Sequence, residues 1–527
     1  MRKHTIVFSC LVLVILSAGV LAYALRDNKL TIDNRQPTII GRPARIRPDY
    51  SGTVIPPNIA PLNFLVQENG SRYCVKIYSK QGRPIEVFSR SPKIIIPEDP
   101  WHELLNLNRG QQLNFDIYTK DKTNQWVRFK TITNRIASED IDGFLVYRKI
   151  HPAHSAWREM GIYQRNLHQF DESLVLDNGY YKNGCLNCHT FCNNRTDKML
   201  IGIRSSIYGS SALLIEDGVV NKIGTKFGYT SWHPSGRLAV YSVNKVHLFF
   251  RSARSEVRDV VDLDSLLAYY IVDSKTVKTS PKIAKKDRLE TYPTWSADGR
   301  YLYFCSAPIL WSDRDTVPPE HYDQVKYDLV RVSYDLDRDE WGELETVLSA
   351  QDTGLSILLP RISPDGRWLL FCMCNYGCFP VYEQSSDLYI MDLKAARQTG
   401  QYKHRRLDIN SDQSESWHSW SSNSRWIAFS SKKDNGLFTR SYLAYVDQEG
   451  KAYKPVLLPQ KDPTYYDSCL WTYSVPELVT QPVRVTGEKL GRVVRGSRKI
   501  PAGLPITMAT PKTGVVPGPD EPWLERE

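Results

Sequence analysis

A short motif recurs four times between residues 232 and 425 of this 527-residue chain. Each copy places a Trp or Ile before a Pro-Asp-Gly-like turn and continues into a strand of alternating apolar residues. Glycine in such a turn accepts a positive φ, so each copy predicts a tight turn between two strands. A chain with this repeat is constrained to a series of small, similar sheets. The copies occupy residues 232–237, 295–300, 362–367 and 420–425.

A further predicted strand follows every copy, which gives three or four strands per unit, the content of a propeller blade. The first three copies are about 65 residues apart, so loops extend a minimal blade of roughly 40 to 45 residues. Strands at 199–203 and 212–215 indicate one more blade, which the segment around 470–475 is expected to close. We therefore predict an all-β fold with a β-propeller of five or six blades over residues 199–480.

The repeat resembles that of TolB-type β-propellers, and the resemblance covers a little over half of the chain. The fourth copy departs from the pattern, because Asn423 and Ser424 stand where the others have Asp or Ser and Gly. Propellers of this kind also cap prolyl oligopeptidases. We expect no hydrolase domain here, since no Gly-x-Ser-x-Gly elbow occurs in the sequence.

Three further segments flank the predicted propeller. Short strands alternate with turn residues over 50–146, which suits a small immunoglobulin-like β-sandwich. Residues 147–198 are predicted as a short mixed segment. Residues 481–527 are predicted as a basic and then Pro/Gly-rich tail. The basic part, 484–499, either meets an anionic lipid or partner surface or is a solvated, charged edge.

The N-terminus predicts export. Residues 5–25 are uncharged and mostly apolar, and Arg2 and Lys3 precede them. Small residues at Ala22 and Ala24 favour cleavage of a signal peptide over residues 1–24, while the length of the run would also suit a signal anchor. We therefore expect a periplasmic protein of the bacterial cell envelope, with a membrane tether if the leader is retained. The net charge of +10 is mild and no recognition motif occurs, so nucleic acid is not expected as a partner.

The strongest chemical motif is Cys-Leu-Asn-Cys-His at residues 185–189. Two thiols at this spacing can form thioether bonds with the vinyl groups of a haem, and the adjacent imidazole can ligate its iron. Two alternatives remain open. Cys185 and Cys188 could form a disulfide, or they could join His189 and Cys192 in a zinc site.

A sixth iron ligand would decide what such a haem does. Met199 is the nearest thioether, and Met/His ligation suits electron transfer. Met199 also alternates with apolar neighbours as the buried face of a strand would. His151, His154 and His168 are the other candidate ligands.

A second cysteine cluster, Cys372, Cys374 and Cys378, begins inside a predicted blade strand. Cys378 lies beyond a turn, where it could pair with one of the other two, so we predict a disulfide. Buried small hydrophobic residues and a metal site are the alternatives.

The leader, sandwich, haem motif and propeller together resemble a group of exported bacterial propeller proteins described as cytochrome c-like. The resemblance implies a monohaem c-type cytochrome that transfers electrons rather than an enzyme. One covalently attached haem c would be held by Cys185 and Cys188 with His189 as proximal ligand. The propeller would dock a redox partner or another envelope protein. The alternative is a non-redox binding scaffold that holds a protein or glycan partner, with the cysteine cluster as a structural disulfide or zinc site.

Overall fold

The computed structural model describes residues 37–503. Residues 124, 152–158, 252–255 and 314–315 and the side chain of residue 187 are not among the described parts. The predicted leader and His154 therefore lie outside the described residues, as does the tail beyond 503. In the described part the chain is mostly β-strand, arranged in many small sheets.

Residues 38–136 form an N-terminal unit of two sheets and one helix. Its larger sheet runs β1-β9-β8-β10-β3, with β5 and β6 attached through β8, and its smaller sheet is β2-β4-β7. β1 pairs with β9, and β3 with β10, in parallel. The bounds are β1 (Thr38–Pro43), β2 (Ile46–Arg47), β3 (Val54–Ile55), β4 (Phe64–Val66), β5 (Arg72–Tyr78), β6 (Ile85–Ser89), β7 (Lys93–Ile94), α1 (Glu98–Leu107), β8 (Gln112–Lys120), β9 (Trp126–Lys130) and β10 (Ile132–Ile136).

Helix α1 was not predicted from the sequence. It begins after Pro97 with Glu98 and Asp99 in its first turn, where carboxylates complement the helix dipole. It buries Trp101 and Leu105 against the N-terminal sheets. The helix and the two parallel strand pairs are features that an immunoglobulin-like sandwich does not have.

The rest of the described chain builds six four-stranded antiparallel sheets, here called blades 1 to 6. Blades 1 to 5 each use four consecutive strands, the innermost first. Blade 6 consists of β34 as its innermost strand and β11, β12 and β13 outside it. The strands of blade 6 are β11 (Phe144–Ile150), β12 (Met160–Asn166), β13 (Glu172–Asp177) and β34 (Thr472–Val479); those of blade 1 are β14 (Cys185–Cys192), β15 (Arg195–Arg204), β16 (Ser211–Glu216) and β17 (Val219–Ile223).

Blades 2 to 5 contain the four motif copies, each at the turn between the first and second strands. Blade 2 consists of β18 (Thr230–Trp232), β19 (Leu238–Phe250), β20 (Arg258–Ile271) and β21 (Thr276–Lys278), and blade 3 of β22 (Arg288–Trp295), β23 (Tyr301–Pro308), β24 (Asp328–Asp335) and β25 (Glu340–Leu348). Blade 4 consists of β26 (Ser356–Ile362), β27 (Trp368–Cys374), β28 (Asp387–Asp392) and β29 (His404–Arg406), and blade 5 of β30 (Glu415–Trp420), β31 (Trp426–Ser431), β32 (Arg440–Tyr445) and β33 (Val456–Leu457).

The six innermost strands contact one another in a closed ring, in the order β14, β18, β22, β26, β30 and β34. This is the arrangement of a β-propeller. The predicted turns form as expected: Gly236, Gly299 and Gly366 have φ between 70° and 72°, and Ser424 adopts φ 61° in the divergent copy. The ring therefore follows from the repeat that the sequence contains.

Blade 6 closes the ring, because it combines the first three strands of the ring's sequence with its last strand. β34 pairs antiparallel with β11, so that Leu478 lies opposite Leu145. The ring consequently spans residues 144–479, and the predicted boundary at 199 is wrong. Residues 147–198 are not a separate haem-attachment segment, because they supply strands of blades 6 and 1. The prediction that 470–475 completes the same blade as 199–203 and 212–215 is wrong, because β34 belongs to blade 6 and those two strands belong to blade 1.

The N-terminal unit packs against the ring through a shared apolar core. The Tyr50 hydroxyl donates to the carbonyl of Leu457 at 3.3 Å. Ion pairs join Lys93 to Asp462 at 2.9 Å and Arg47 to Asp467 at 2.6 Å. The contacts made by blade 5 and the segment after it therefore fix the position of the unit.

In the described part of the chain, four further α-helices interrupt or follow the ring. The last of them occupies part of the predicted basic tail, begins after Thr486 and buries Leu490 and Val494. None of the helices in the described part of the chain is long and apolar enough to span a bilayer. The helices are α2 (Ala350–Thr353), α3 (Leu393–Thr399), α4 (Tyr465–Ser468) and α5 (Gly487–Arg495).

Candidate functional site: the axial cup

The ring surrounds a cavity of about 330 Å³ at the end where the innermost strands enter their turns. We call this cavity the axial cup. Each blade contributes one polar or charged side chain to it from the same strand position, directly before the motif residue or its equivalent. These six residues are Thr190, Ser231, Thr294, Arg361, Ser419 and Glu477.

Arg361 and Glu477 are the only ionisable residues among those that line the cup in the described part of the chain, and they form an ion pair with each other. The pair joins blade 4 to blade 6. Burial raises the pKa of the Glu477 carboxyl above its ordinary value, and Arg361 opposes that shift. The pair thus leaves the cup with no net charge when both groups are ionised.

The other half of the cup presents hydroxyl groups. Thr190, Ser231 and Thr294 belong to consecutive blades and are 5%, 9% and 6% exposed. Within the described part of the chain, no hydrogen bond engages any of these three hydroxyls. By contrast, Ser419 Oγ on blade 5 accepts a hydrogen bond from the Leu478 amide at 3.3 Å. Three nearly buried residues therefore line the cavity with hydroxyls that have no hydrogen-bond partner among the described residues.

A second set of six residues, here called the aromatic tier, closes the channel beneath the cup. The rings of Tyr229 and Tyr292 are 4.2 Å apart, and Trp417 lies 5.7 Å from Tyr229. Only about 40 Å³ of cavity remains at this level. The tier consists of Cys188, Tyr229, Tyr292, Leu359, Trp417 and Val475.

Four of the tier residues are held in the left-handed region of backbone space. Tyr292, Leu359, Trp417 and Val475 have φ between 45° and 53°, and each lies where its strand shifts register. A conformation of this kind costs on the order of 1 to 3 kcal/mol per residue and persists only where the surroundings enforce it. A bulge redirects a side chain, and here it accompanies side chains that line the axis.

The opposite end of the channel is covered. Strands β19 and β20 extend beyond their blade as a long hairpin. Glu256 of this hairpin forms an ion pair with Lys432 of blade 5, and the Tyr376 hydroxyl donates to Asp259 Oδ2 at 2.6 Å. The cup is therefore a cavity with one open end.

The Cys-x-x-Cys-His motif lies within β14, the innermost strand of blade 1. Cys185 is 3% exposed, packs in the apolar core with strands of blade 6, and lies 3.3 Å from an Arg204 nitrogen. Cys188 belongs to the aromatic tier. His189 is 1% exposed, with Nε2 3.4 Å from the Val146 carbonyl. Burial lowers the pKa of His189 to about 3, so its imidazole is neutral.

These positions do not fit a covalently attached haem. Both thiols would have to reach the same porphyrin edge, whereas Cys185 packs between blades and Cys188 lines the channel. The cavity beside His189 has about 40 Å³, enough for about three water molecules.

The other predicted ligands are dispersed. Met199 is fully buried in β15 opposite Ile215. His168 stacks on His102 with ring centres 3.8 Å apart, and His151 packs edge-on against Trp471. None of the three predicted ligands lines the cavity at His189.

The predicted disulfides and metal sites do not form in the described structure. All nine described cysteines are thiols, including Cys372, Cys374 and Cys378, so the predicted pairing in that cluster is wrong. No group of three or more His, Cys, Asp or Glu side chains converges as metal ligands among the described residues. The cysteines of β27 are apolar core instead, and burial raises the pKa of the Cys372 thiol above its ordinary value.

No protein-family model and no curated protein matches the sequence. Among solved structures, prolyl oligopeptidase B from Galerina marginata is similar at 10% identity and a TM-score of 0.34, covering 65% of this chain and 42% of that one. A puromycin hydrolase mutant is similar at 14% identity and a TM-score of 0.36, covering 62% of this chain and 54% of that one. Hydrazine synthase from Kuenenia stuttgartiensis is similar at 14% identity and a TM-score of 0.29, covering 50% of this chain and 64% of that one. This chain thus spans less than two thirds of each of these chains, and TM-scores this low carry no argument about function.

The predicted haem electron carrier is wrong. Its attachment motif is a buried strand, its proximal histidine is enclosed by protein, and its proposed sixth ligand is core. The description as a cytochrome and metal-binding protein fails for the same reasons. Of the structures reported above, two are a prolyl oligopeptidase and a puromycin hydrolase.

Sequence reasoning missed the six polar and charged residues that line the cup at equivalent strand positions, although motif residues next to four of them also line it. Four of them could have been found, because Ser231, Thr294, Arg361 and Ser419 each directly precede a motif copy. The other two have no such signal, since blades 6 and 1 lack the motif at the turns that follow Glu477 and Thr190.

Proposed function

We propose that this protein is a non-redox binding module whose ligand site is the axial cup. The observation that supports the proposal is the ring of six polar side chains, one per blade, above a closed aromatic tier. Ligand sites are typically concave, and a few polar groups in them fix orientation. Strained backbone at Tyr292 and Val475 further supports a functional role for the channel.

The proposal is tested by filling the cup. Ala297 is exposed at its rim, so Ala297→Trp should fold while its indole obstructs the cavity. Ala395 is exposed on α3, outside the cup, and Ala395→Trp is the matched control. The purified protein is screened by thermal shift against neutral saccharides, small peptides, nucleotides and carboxylic acids.

We expect at least one class to raise the Tm. A ligand present at 100 times its Kd raises the free energy of unfolding by about 2.7 kcal/mol. The shift should disappear in Ala297→Trp and persist in Ala395→Trp. A screen without any stabilising class, or shifts that all survive in Ala297→Trp, would contradict the proposal.

We also infer that the ring is a TolB-type propeller, on the strength of the four motif copies and their turns. Export through the segment at 5–25, a periplasmic location and an envelope protein as partner are retained as proposals. The mass of the protein purified from a bacterial envelope tests the first of these. Loss of residues 1–24 or retention of the leader in the membrane fraction supports export, and an intact chain in the cytosolic fraction contradicts it.

A further inference from the structure

The charge of the cup restricts its ligand. Arg361 and Glu477 neutralise each other, and the remaining lining residues are Ser, Thr, Asn, Pro, Ala and apolar or aromatic side chains. A ligand with net charge would lose hydration on entry without meeting an opposite, unpaired charge. The cavity is therefore suited to a neutral polar molecule.

The hydroxyls restrict the ligand further. Each of Thr190, Ser231 and Thr294 can donate one hydrogen bond and accept others. Their neighbours in the strand are aromatic: Phe191, Trp232 and Trp295 line the same cavity. A matching ligand would have groups that both donate and accept along one edge and C–H surface beside it.

A saccharide has this combination, since its hydroxyls donate and accept and its ring carbons carry apolar hydrogens. A peptide has separate donors and acceptors in its backbone and is matched less well by three bare hydroxyls. Resting on the proposed function of the cup, we propose that its ligand is a neutral saccharide, held by the hydroxyls of Thr190, Ser231 and Thr294 on three consecutive blades.

Threonine-to-valine variants test the hydroxyls without changing side-chain shape. Thr190→Val and Thr294→Val each remove a hydroxyl that has no protein hydrogen bond in the described structure, so both should fold. Thr276→Val is the matched control, because Thr276 is exposed on β21, away from the cup. A normal near-UV circular dichroism spectrum verifies the fold of every variant.

Binding is measured by isothermal titration calorimetry with glucose, galactose, N-acetylglucosamine, maltose and cellobiose. Triglycine and citrate are the probes for the other ligand classes. We expect at least one saccharide to bind, with the Kd raised about tenfold or more by Thr190→Val or Thr294→Val, the effect of losing one good hydrogen bond. The Kd should not change in Thr276→Val.

Two results would overturn the inference: no saccharide binds at 50 mM, or a saccharide binds with the same Kd in the Thr190→Val/Thr294→Val double variant. If triglycine or citrate binds instead and Ala297→Trp abolishes that binding, the cup is a ligand site and only the saccharide assignment fails. If nothing that binds depends on Ala297, the proposed function itself fails.

Discussion

His189 is a neutral, buried residue of the inner ring rather than an exposed ligand. Its Nε2 lies near the carbonyl of Val146 on β11, the second strand of the neighbouring blade. His418 is placed in the same way, with Nε2 3.2 Å from the carbonyl of Leu370 on β27. Burial lowers the pKa of both imidazoles to about 3. Two histidines thus occupy the same structural position, and only one of them follows a Cys-x-x-Cys.

This placement predicts a specific dependence of stability on pH. The unfolded chain protonates His189 below pH 6.5, while the folded protein does not until about pH 3. The free energy of unfolding therefore falls as the pH falls from 6.5, by about 2 kcal/mol between pH 7 and pH 5 from this group. In His189→Gln that contribution is absent, so the variant should lose less stability over this range.

Urea denaturation at pH 7 and pH 5 measures the difference, since the other titrating groups are common to both proteins. His321→Asn is the control: His321 is exposed in a left-handed conformation that Asn tolerates. Equal losses of stability in wild type and His189→Gln would show that the imidazole is accessible to protons in the folded state.

Strand β34 is the element on which the ring depends. It is the innermost strand of blade 6, it contacts β14 and β30 on either side, and its outward neighbour is β11. It also supplies Val475 to the aromatic tier and Glu477 to the cup. Without it, β11 would have an unpaired edge beside the apolar core.

A chain that ends at residue 470 should therefore lose the ring rather than one blade. We expect loss of the near-UV circular dichroism signal and of cooperative thermal unfolding, with association visible in size-exclusion chromatography. A chain that ends at residue 503 retains β34 and α5 and is expected to keep a cooperative transition. Cooperative unfolding of the shorter chain near the wild-type Tm would contradict the role assigned to β34.

Elements with a repeating signal were predictable, and those without one were not. The four turns and the strands around them followed from the motif, because Gly or Ser at positive φ is a local requirement. The outer strands of blade 6 have no motif, and their innermost strand lies about 300 residues away in sequence, so no local pattern joins them. The cup depends on the same long-range closure. The prediction of haem attachment at residues 185–189 was wrong because thiols and imidazoles also pack well in buried strands.

At the scale of the molecule, the N-terminal unit and the ring share one apolar core. Tyr50, Ile59 and Leu62 of the unit belong to the same buried cluster as Tyr466 of α4 and Tyr473 of β34. Several hydrogen bonds and ion pairs reinforce this contact, among them Lys454 with Asp49 at 2.6 Å. The unit is therefore integral to the ring rather than a tethered module.

This packing predicts that the two parts unfold together. Scanning calorimetry of the whole chain should give one transition with a ratio of calorimetric to van't Hoff enthalpy near one. Two resolved transitions, or a ratio near two, would show that the N-terminal unit is independent of the ring.

The placement of blade 6 also sets an order of events during synthesis. β11 leaves the ribosome early, yet β34, its partner, follows about 320 residues later, which takes about 15 to 65 s at 5 to 20 residues per second. Throughout that time one edge of β11 and the inner face of its sheet are exposed. A nascent chain of this kind needs protection from aggregation until its last strand is synthesised. Codon choice in the last part of the message and the supply of chaperones should therefore determine its yield.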